Sequence, residues 1–283
     1  MTIKTESDND QIKELESNSN LIYDRFPSKL NSLFHLKYFL NNEIKTVIDI
    51  GILTGTHELI RAFKKCKHVL VEPVPDFFEN INKVYTNNKI DYDLLKIACS
   101  DKNGKTKLNI FNHMSNNNLP TGSGIKEPDV NEDPARESLK IIDVETKNLD
   151  EICKNYQSPY IIKIDVDGHE LEILKGAKNC LKDTFIFIVE AWTNRISNII
   201  NILNEMGFEL WEITDICYMR GQMSQVDLIF LNKNLKNNEK YKELTPRNFG
   251  FKSKDKGSYF CFVERAISDE QFKIYKNFDN GII

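Results

Sequence analysis

No stretch of the 283-residue chain approaches the uninterrupted apolar run that a membrane-spanning helix needs, so a membrane role is not expected. Cysteine is scattered. Cys66, Cys99, Cys153, Cys180, Cys217 and Cys261 form no C-x-x-C pair and no close Cys/His cluster, which points to reduced thiols rather than a zinc module or a disulfide scaffold. Neither sign of charge is in large excess. With 38 basic and 42 acidic side chains the net charge is -4, so nothing pulls the chain as a whole toward nucleic acid, and no nucleic-acid partner is expected. Residues 1–20 lack the basic-then-apolar order of a secretory signal, and a cytoplasmic location is expected. They also lack apolar periodicity, which predicts a disordered tail.

What is present is enough apolar material for a full core. Hydrophobic residues make up 40% of the chain, 17 of them Phe, which suits one α/β domain with extensions. Over residues 27–40, Leu30, Leu33, Phe34, Leu36, Phe39 and Leu40 recur at helical spacing, predicting a helical extension within residues 21–45. Beyond it, apolar runs alternate with helical patterns, as in a parallel sheet wound with helices. Strands are predicted over residues 46–51, 68–72, 93–99, 160–165, 185–190, 208–213 and 226–231, and helices over 55–65, 75–86, 149–155, 169–181 and 195–206. Continuous runs such as Ile161-Ile162-Lys163-Ile164 mark strands buried on both faces. The polar stretch 214–225 offers no helix before the seventh strand, so that strand is predicted antiparallel. The main domain is read as residues 46–233. Within it, residues 105–147 form a polar insertion, with strands at 105–111 and 139–145, where part of a substrate pocket is expected. Residues 234–283 are read as a C-terminal extension holding a strand candidate at 258–263.

Three segments carry chemistry. In Asp49-Ile50-Gly51-Ile52-Leu53-Thr54-Gly55 a buried strand ends in a turn with two glycines, where the backbone can approach a ligand and a helix N-terminus follows. The Gly-x-Gly centre of a pyrophosphate-binding loop is missing, which favours an adenosine ligand with lighter steric demands. Glu72 closes the next strand, where a carboxylate can accept both ribose hydroxyls. The run Lys163-Ile164-Asp165-Val166-Asp167-Gly168-His169-Glu170 then delivers carboxylates and an imidazole to a strand tip. There Asp165 would face a methyl sulfonium, and His169 is either a base or a helix cap.

Asp49-Ile50-Gly51 through Gly55, Val71-Glu72-Pro73, Ile97-Ala98-Cys99-Ser100-Asp101 with Asn103-Gly104, the Lys163–Glu170 segment with Leu174-Lys175-Gly176-Ala177, and Glu190 ending a strand together resemble the FkbM family of methyltransferases over residues 46–232. The resemblance implies a Rossmann-like class I methyltransferase fold, a mostly parallel seven-stranded sheet with an antiparallel last strand and helices on both faces. It implies S-adenosylmethionine as cofactor and transfer to a hydroxyl of a sugar, glycan or small natural product. Carried over, Asp49, Gly51 and Gly55 frame the cofactor loop, Glu72 the ribose, Ser100 and Asp101 the adenine neighbourhood, and Asp165 the reaction centre. Asp165 and His169 are the candidate bases, with Glu190 orienting either. A variant places Mg²⁺ on Asp165, Glu190 and Asp167. The chain departs from the family in Ile52-Leu53, where Ala-Asn is usual, and in Asp167, where Glu is commoner. A nicotinamide-dependent oxidoreductase and a non-catalytic adenosine-binding or interaction protein stay open as alternatives, and so does assembly into a homo-oligomer.

Overall fold

The computed structural model describes residues 29–111, 123–125, 138–219, 221–236 and 238–244. The expected tail at 1–20, most of the insertion between its two strands, the candidate strand at 258–263 and Cys261 lie outside the described residues. No described helix is long and apolar enough to cross a membrane.

Helix α1 (Lys29–Phe39) precedes strand β1 (Thr46–Ile50), helix α2 (His57–Ala62), β2 (Lys67–Val71), a 3-10 turn (Pro75–Phe77) running into α3 (Phe78–Asn87), and β3 (Tyr92–Leu95). Then come β4 (Ala98–Cys99), β5 (Gly104–Phe111), β6 (Ser138–Lys147), α4 (Leu149–Cys153), β7 (Tyr160–Ile164), α5 (Glu170–Lys175), β8 (Thr184–Trp192) and α6 (Ile196–Glu205). Strands β9 (Phe208–Met219) and β10 (Gln222–Asn232), a short helix α7 (Lys233–Lys236) and a 3-10 segment (Glu239–Leu244) follow, with a further 3-10 turn (Cys180–Asp183) ahead of β8. Seven strands form one sheet in the order β3-β2-β1-β7-β8-β10-β9. The pairs β1·β2, β1·β7, β2·β3 and β7·β8 are parallel, and β10 is antiparallel to both neighbours, as the expected fold class requires.

Strand alternation divides the core. Ile48, Ile50, Ile162, Ile164, Phe187 and Val189 point to one face, where α4, α5 and α6 cover them with Leu149, Ile173, Leu174, Ile199 and Leu203. Val47, Ile161, Ile186, Ile188, Ile229 and Leu231 point to the other, under Leu33 and Leu36 of α1, Leu40 just after it, and Leu59 of α2. Each fully buried isoleucine contributes roughly 1.5–3 kcal/mol, so two covered faces explain why the central strands read as unbroken apolar runs.

Two expectations are corrected. The predicted strand at 93–99 divides, because β3 pairs with β2 while Ala98 and Cys99 pair with β6 in a second sheet of order β4-β6-β5. The strands predicted at 208–213 and 226–231 are longer than expected, β9 reaching Met219 and β10 starting at Gln222, so that they pair as a long antiparallel hairpin with no helix between them. Since β9 is an edge strand, Asp215, Tyr218 and Met219 stay exposed, and that exposure removes the apolar signal a buried strand would show.

Candidate active site

The carboxyl ends of β1, β2, β7 and β8 converge on a cavity of about 530 Å³. This is where an open α/β sheet presents its loops, so side chains from distant segments meet there. One wall is the turn after β1. Gly51 has φ +76°, and a Cβ there would lie 1.9 Å from the carbonyl oxygen of Asp165. The glycine is thus dictated by the crossing of β1 and β7 tips rather than by a ligand, although it also borders the cavity. Gly55 has φ +141° and donates its N–H to the Ile52 carbonyl at 3.0 Å, closing the turn. Between them Leu53 sits at φ +56°, a left-handed conformation that costs a residue with a Cβ about 1–2 kcal/mol.

Glu72 holds that strained turn in place. Its Oε2 accepts the Leu53 N–H at 3.1 Å and its Oε1 the Val74 N–H at 2.9 Å, with the side chain 4% exposed. Burial pushes its carboxyl up to about 7, with the two amides pulling the other way. A carboxylate oxygen accepts more than one hydrogen bond, so each oxygen keeps capacity on the cavity side. Pro73, Val74 and Phe77 extend this wall as an apolar shelf.

The opposite wall is charged, and strand register explains why. Asp49 pairs across from Lys163, and Glu190 from Asp227, and all four share the sheet face of Val47, Ile161, Ile188 and Ile229. Toward the carboxyl ends that face changes from isoleucine to ions. Lys163, 3% exposed, ion-pairs with Asp165. Lys29 of α1 reaches in from above, paired with Asp227 and, at 2.5 Å, with Asp215. Glu190 shares a hydrogen bond with Asp165 and accepts one from Gln225 Nε2 at 2.6 Å.

These contacts set the proton count. Burial alone would raise Asp165, but the Lys163 charge and the hydrogen bonds from Lys163 and Glu190 hold it below the ordinary carboxylate range. Glu190 goes the other way: burial, then the Asp165 charge, pushes it up to about 9. At neutral pH the pair is therefore one carboxylate and one carboxylic acid sharing a single proton. Lys163 is raised despite burial, because Asp165, Asp49 and Asp227 surround it.

The loop after β7 is tied down by hydrogen bonds and an ion pair. Arg195 Nη1 donates to the Gly168 carbonyl at 2.7 Å and lies 3.4 Å from Glu170 Oε2, while Glu170 Oε1 accepts the Gly168 N–H at 2.9 Å. Gly168, at φ +89°, leaves room for the guanidinium, which a Cβ would meet at 3.1 Å. The pattern Asp-Gly-His-Glu thus serves to present Asp165 and Asp167 on a fixed turn.

Of the residues singled out in the sequence, Gly51, Gly55, Glu72, Asp165 and Glu190 line the cavity together, with Asp167 beside them. Asp49 does not; it is fully buried beneath the turn, its carboxyl raised by that burial against the pull of Lys163 and Thr56. Ser100, Asp101 and His169 also stand apart from the lining. Ser100 Oγ lies 2.9 Å from His169 Nε2 and 3.3 Å from Asp101 Oδ1, so the three form their own cluster beyond the β7 tip. His169 stands at the start of α5, outside the residues that line the cavity. Among the described residues no group of three or more His, Cys, Asp or Glu side chains is arranged to hold a metal ion, and two lysines already serve the carboxylates. Sequence reasoning missed Lys29, Lys163, Trp192, Met219 and Gln225. The available signal was a single charge inside each apolar strand, Asp49, Lys163 and Asp227, at the parity of one face. Ser123 of the insertion does reach the cavity, as Gly124 bridges to Asn109.

The family model for the methyltransferase FkbM domain matches residues 49–210. No curated protein matches the chain. Among solved structures, magnesium protoporphyrin IX methyltransferase from Synechocystis, with S-adenosylmethionine bound, aligns at 10% identity and TM-score 0.39, covering 82% of this chain and 100% of that one. Precorrin-6y C5,15-methyltransferase from Geobacter metallireducens aligns at 12% identity and TM-score 0.36, covering 73% and 92%. The fibrillarin pre-rRNA processing protein of Methanococcus jannaschii aligns at 10% identity and TM-score 0.39, covering 68% and 67%.

Proposed function

The chain belongs to the FkbM methyltransferase family and is an S-adenosylmethionine-dependent methyltransferase, and on that premise we propose that it methylates a hydroxyl oxygen of a sugar, glycan or small natural product. The nicotinamide-dependent reading is set aside by the same match. The observation that carries the proposal is the Asp165–Glu190 pair on the wall of the cavity that Glu72 also lines, with the buried Lys163 ion-paired to Asp165.

The residues present suit the cofactor. Glu72, with unspent acceptor capacity on both oxygens, would take the ribose hydroxyls, and Val74 and Phe77 would pack against the adenine. Asp165 supplies negative charge for a cationic donor. When bound, S-adenosylmethionine supplies an electrophilic methyl group, transferred as the carbon–sulfur bond breaks and the new carbon–oxygen bond forms.

The chain's own residues align the acceptor and take its proton. A neutral hydroxyl is a weak nucleophile, but its oxygen becomes strongly acidic as it gains a methyl group, so a carboxylate with a lowered pKa still suffices as base. Asp165 receives that proton. Lys163 and Glu190 keep Asp165 ionised beforehand, so no reorganisation is needed at the moment of transfer. Trp192 and Met219 border the cavity next to Glu190 and offer the apolar face on which a sugar ring or a natural product can lie.

The test is methyl transfer from radiolabelled S-adenosylmethionine to a panel of sugars, polyols and phenols, followed by alkaline treatment. Label retained through alkali as a methyl ether is the expected result. Label recovered only in methyl esters, or on nitrogen or carbon, would overturn hydroxyl methylation. Full turnover after chelation of divalent metals is also expected, given the absence of a metal-holding cluster among the described residues.

A further inference from the structure

Asp165 serves as proton acceptor only while it stays charged and aimed at the cavity, and one neutral side chain is placed to secure both conditions. Gln225 stands on β10 two residues from Asp227, the cross-strand partner of Glu190, on the same sheet face. Its Nε2 donates to Glu190 Oε1 at 2.6 Å. An amide N–H needs an acceptor, and the better acceptor of a carboxylic acid is its carbonyl oxygen. Oε1 is thereby the carbonyl, and the acid proton belongs to Oε2. Besides Gln225, the group hydrogen-bonded to Glu190 is Asp165.

We infer that Gln225 is a positioning residue: its amide fixes the Glu190 carboxyl with the acid proton directed at Asp165, which leaves Asp165 ionised toward the acceptor. The charged groups around Glu190 are Asp165 and Lys163 from β7 and Asp227 from β10, the last paired with Lys29 of α1. None of them donates to Oε1. Without the amide, no described side chain holds that oxygen, and when Glu190 ionises its carboxylate turns away from the charged Asp165, which relieves the repulsion that raises its pKa. The purpose assigned to this contact rests on the methyl-transfer reading above; its geometry does not.

The experiment is a pH titration by NMR of the full chain carrying glutamate labelled with ¹³C at the side-chain carboxyl. The Glu190 signal is identified by its loss in Glu190→Gln. In the wild type it is expected to titrate at about 9. In Gln225→Leu, and in Gln225→Met, which keeps the side-chain length, the midpoint is expected to fall by a unit or more, a tenfold shift in the proton equilibrium, because Glu190 leaves Asp165. An unchanged or higher midpoint would overturn the inference, since losing a donor without repositioning only disfavours the carboxylate. A wild-type midpoint in the ordinary carboxylate range would overturn it too. The Gln225 side-chain amide protons of the wild type should shift with the Glu190 midpoint; an amide that ignores it contradicts the contact without any variant needing to fold. Calorimetry with S-adenosylhomocysteine on the same sample separates the two readings: absent binding removes the methyl-transfer role, while the titration still decides where Gln225 holds Glu190.

Discussion

Replacing Lys163 by Met isolates the electrostatics on which the site depends. The ammonium is 3% exposed and lies among Asp165, Asp49 and Asp227. Methionine fills much of the same volume, so packing changes little and charge changes most. Removing one member of a buried ion pair costs about 3–5 kcal/mol, because the partner stays behind as an uncompensated charge. Asp165 then loses the interaction that lowers its carboxyl, while the burial that raises it persists. Chemical denaturation at pH 7 should therefore show a lower midpoint with an unchanged slope. The loss should shrink as pH is lowered and the stranded carboxylates take up protons. Adding Asp49→Asn to Lys163→Met should recover part of the loss, as the two face each other across β1 and β7. A cost under about 1 kcal/mol, or one that does not vary with pH, would refute the claim that Lys163 neutralises the cluster.

Acid should weaken the fold through His68, which is fully buried against the Phe63 carbonyl at 3.1 Å and whose pKa burial lowers to about 4. Below its ordinary pKa of 6.5 the unfolded chain takes up a proton that the folded chain refuses, so stability falls between pH 6.5 and 4 by about 3 kcal/mol in total. His68→Gln should flatten that slope in denaturation curves. Glu190 has the opposite sign: with its folded pKa raised to about 9, stability declines as pH rises from 4.5 toward 9, and Glu190→Gln should remove that decline. Leu53→Asn should stabilise the chain by about 0.5–1 kcal/mol in thermal unfolding, because asparagine tolerates the left-handed turn and Leu53 is 37% exposed; a lower melting temperature would show that its side chain contributes packing that the turn requires.

The fold was legible because both covered faces leave continuous apolar runs, as in Ile161-Ile162 and Phe187-Ile188-Val189. The edge hairpin was not, since β9 is half solvated and its alternation of Trp211, Glu212, Ile213 and Thr214 fades into exposed residues. Within the site, Gly51, Glu72, Asp165 and Glu190 were readable, as each ends a strand whose carboxyl tip the fold class places at one crevice. His169 was over-read: adjacency to Asp165 along the chain does not put it on the cavity wall, because the turn at Gly168 carries it toward Ser100. Lys29 and Gln225 were invisible, since only long-range register brings α1 and β10 to the tip of β7.

The central claim is that the crevice between Glu72 and Asp165 holds the methyl donor, and calorimetric titration of the full chain with S-adenosylhomocysteine tests it most directly. The account predicts saturable binding at one site, an affinity about 10–150-fold weaker in Glu72→Ala from the loss of charged hydrogen bonds worth about 1.5–3 kcal/mol, and near-normal affinity in His169→Ala. Absent binding in the wild type, or an affinity that Glu72→Ala leaves unchanged, would contradict it.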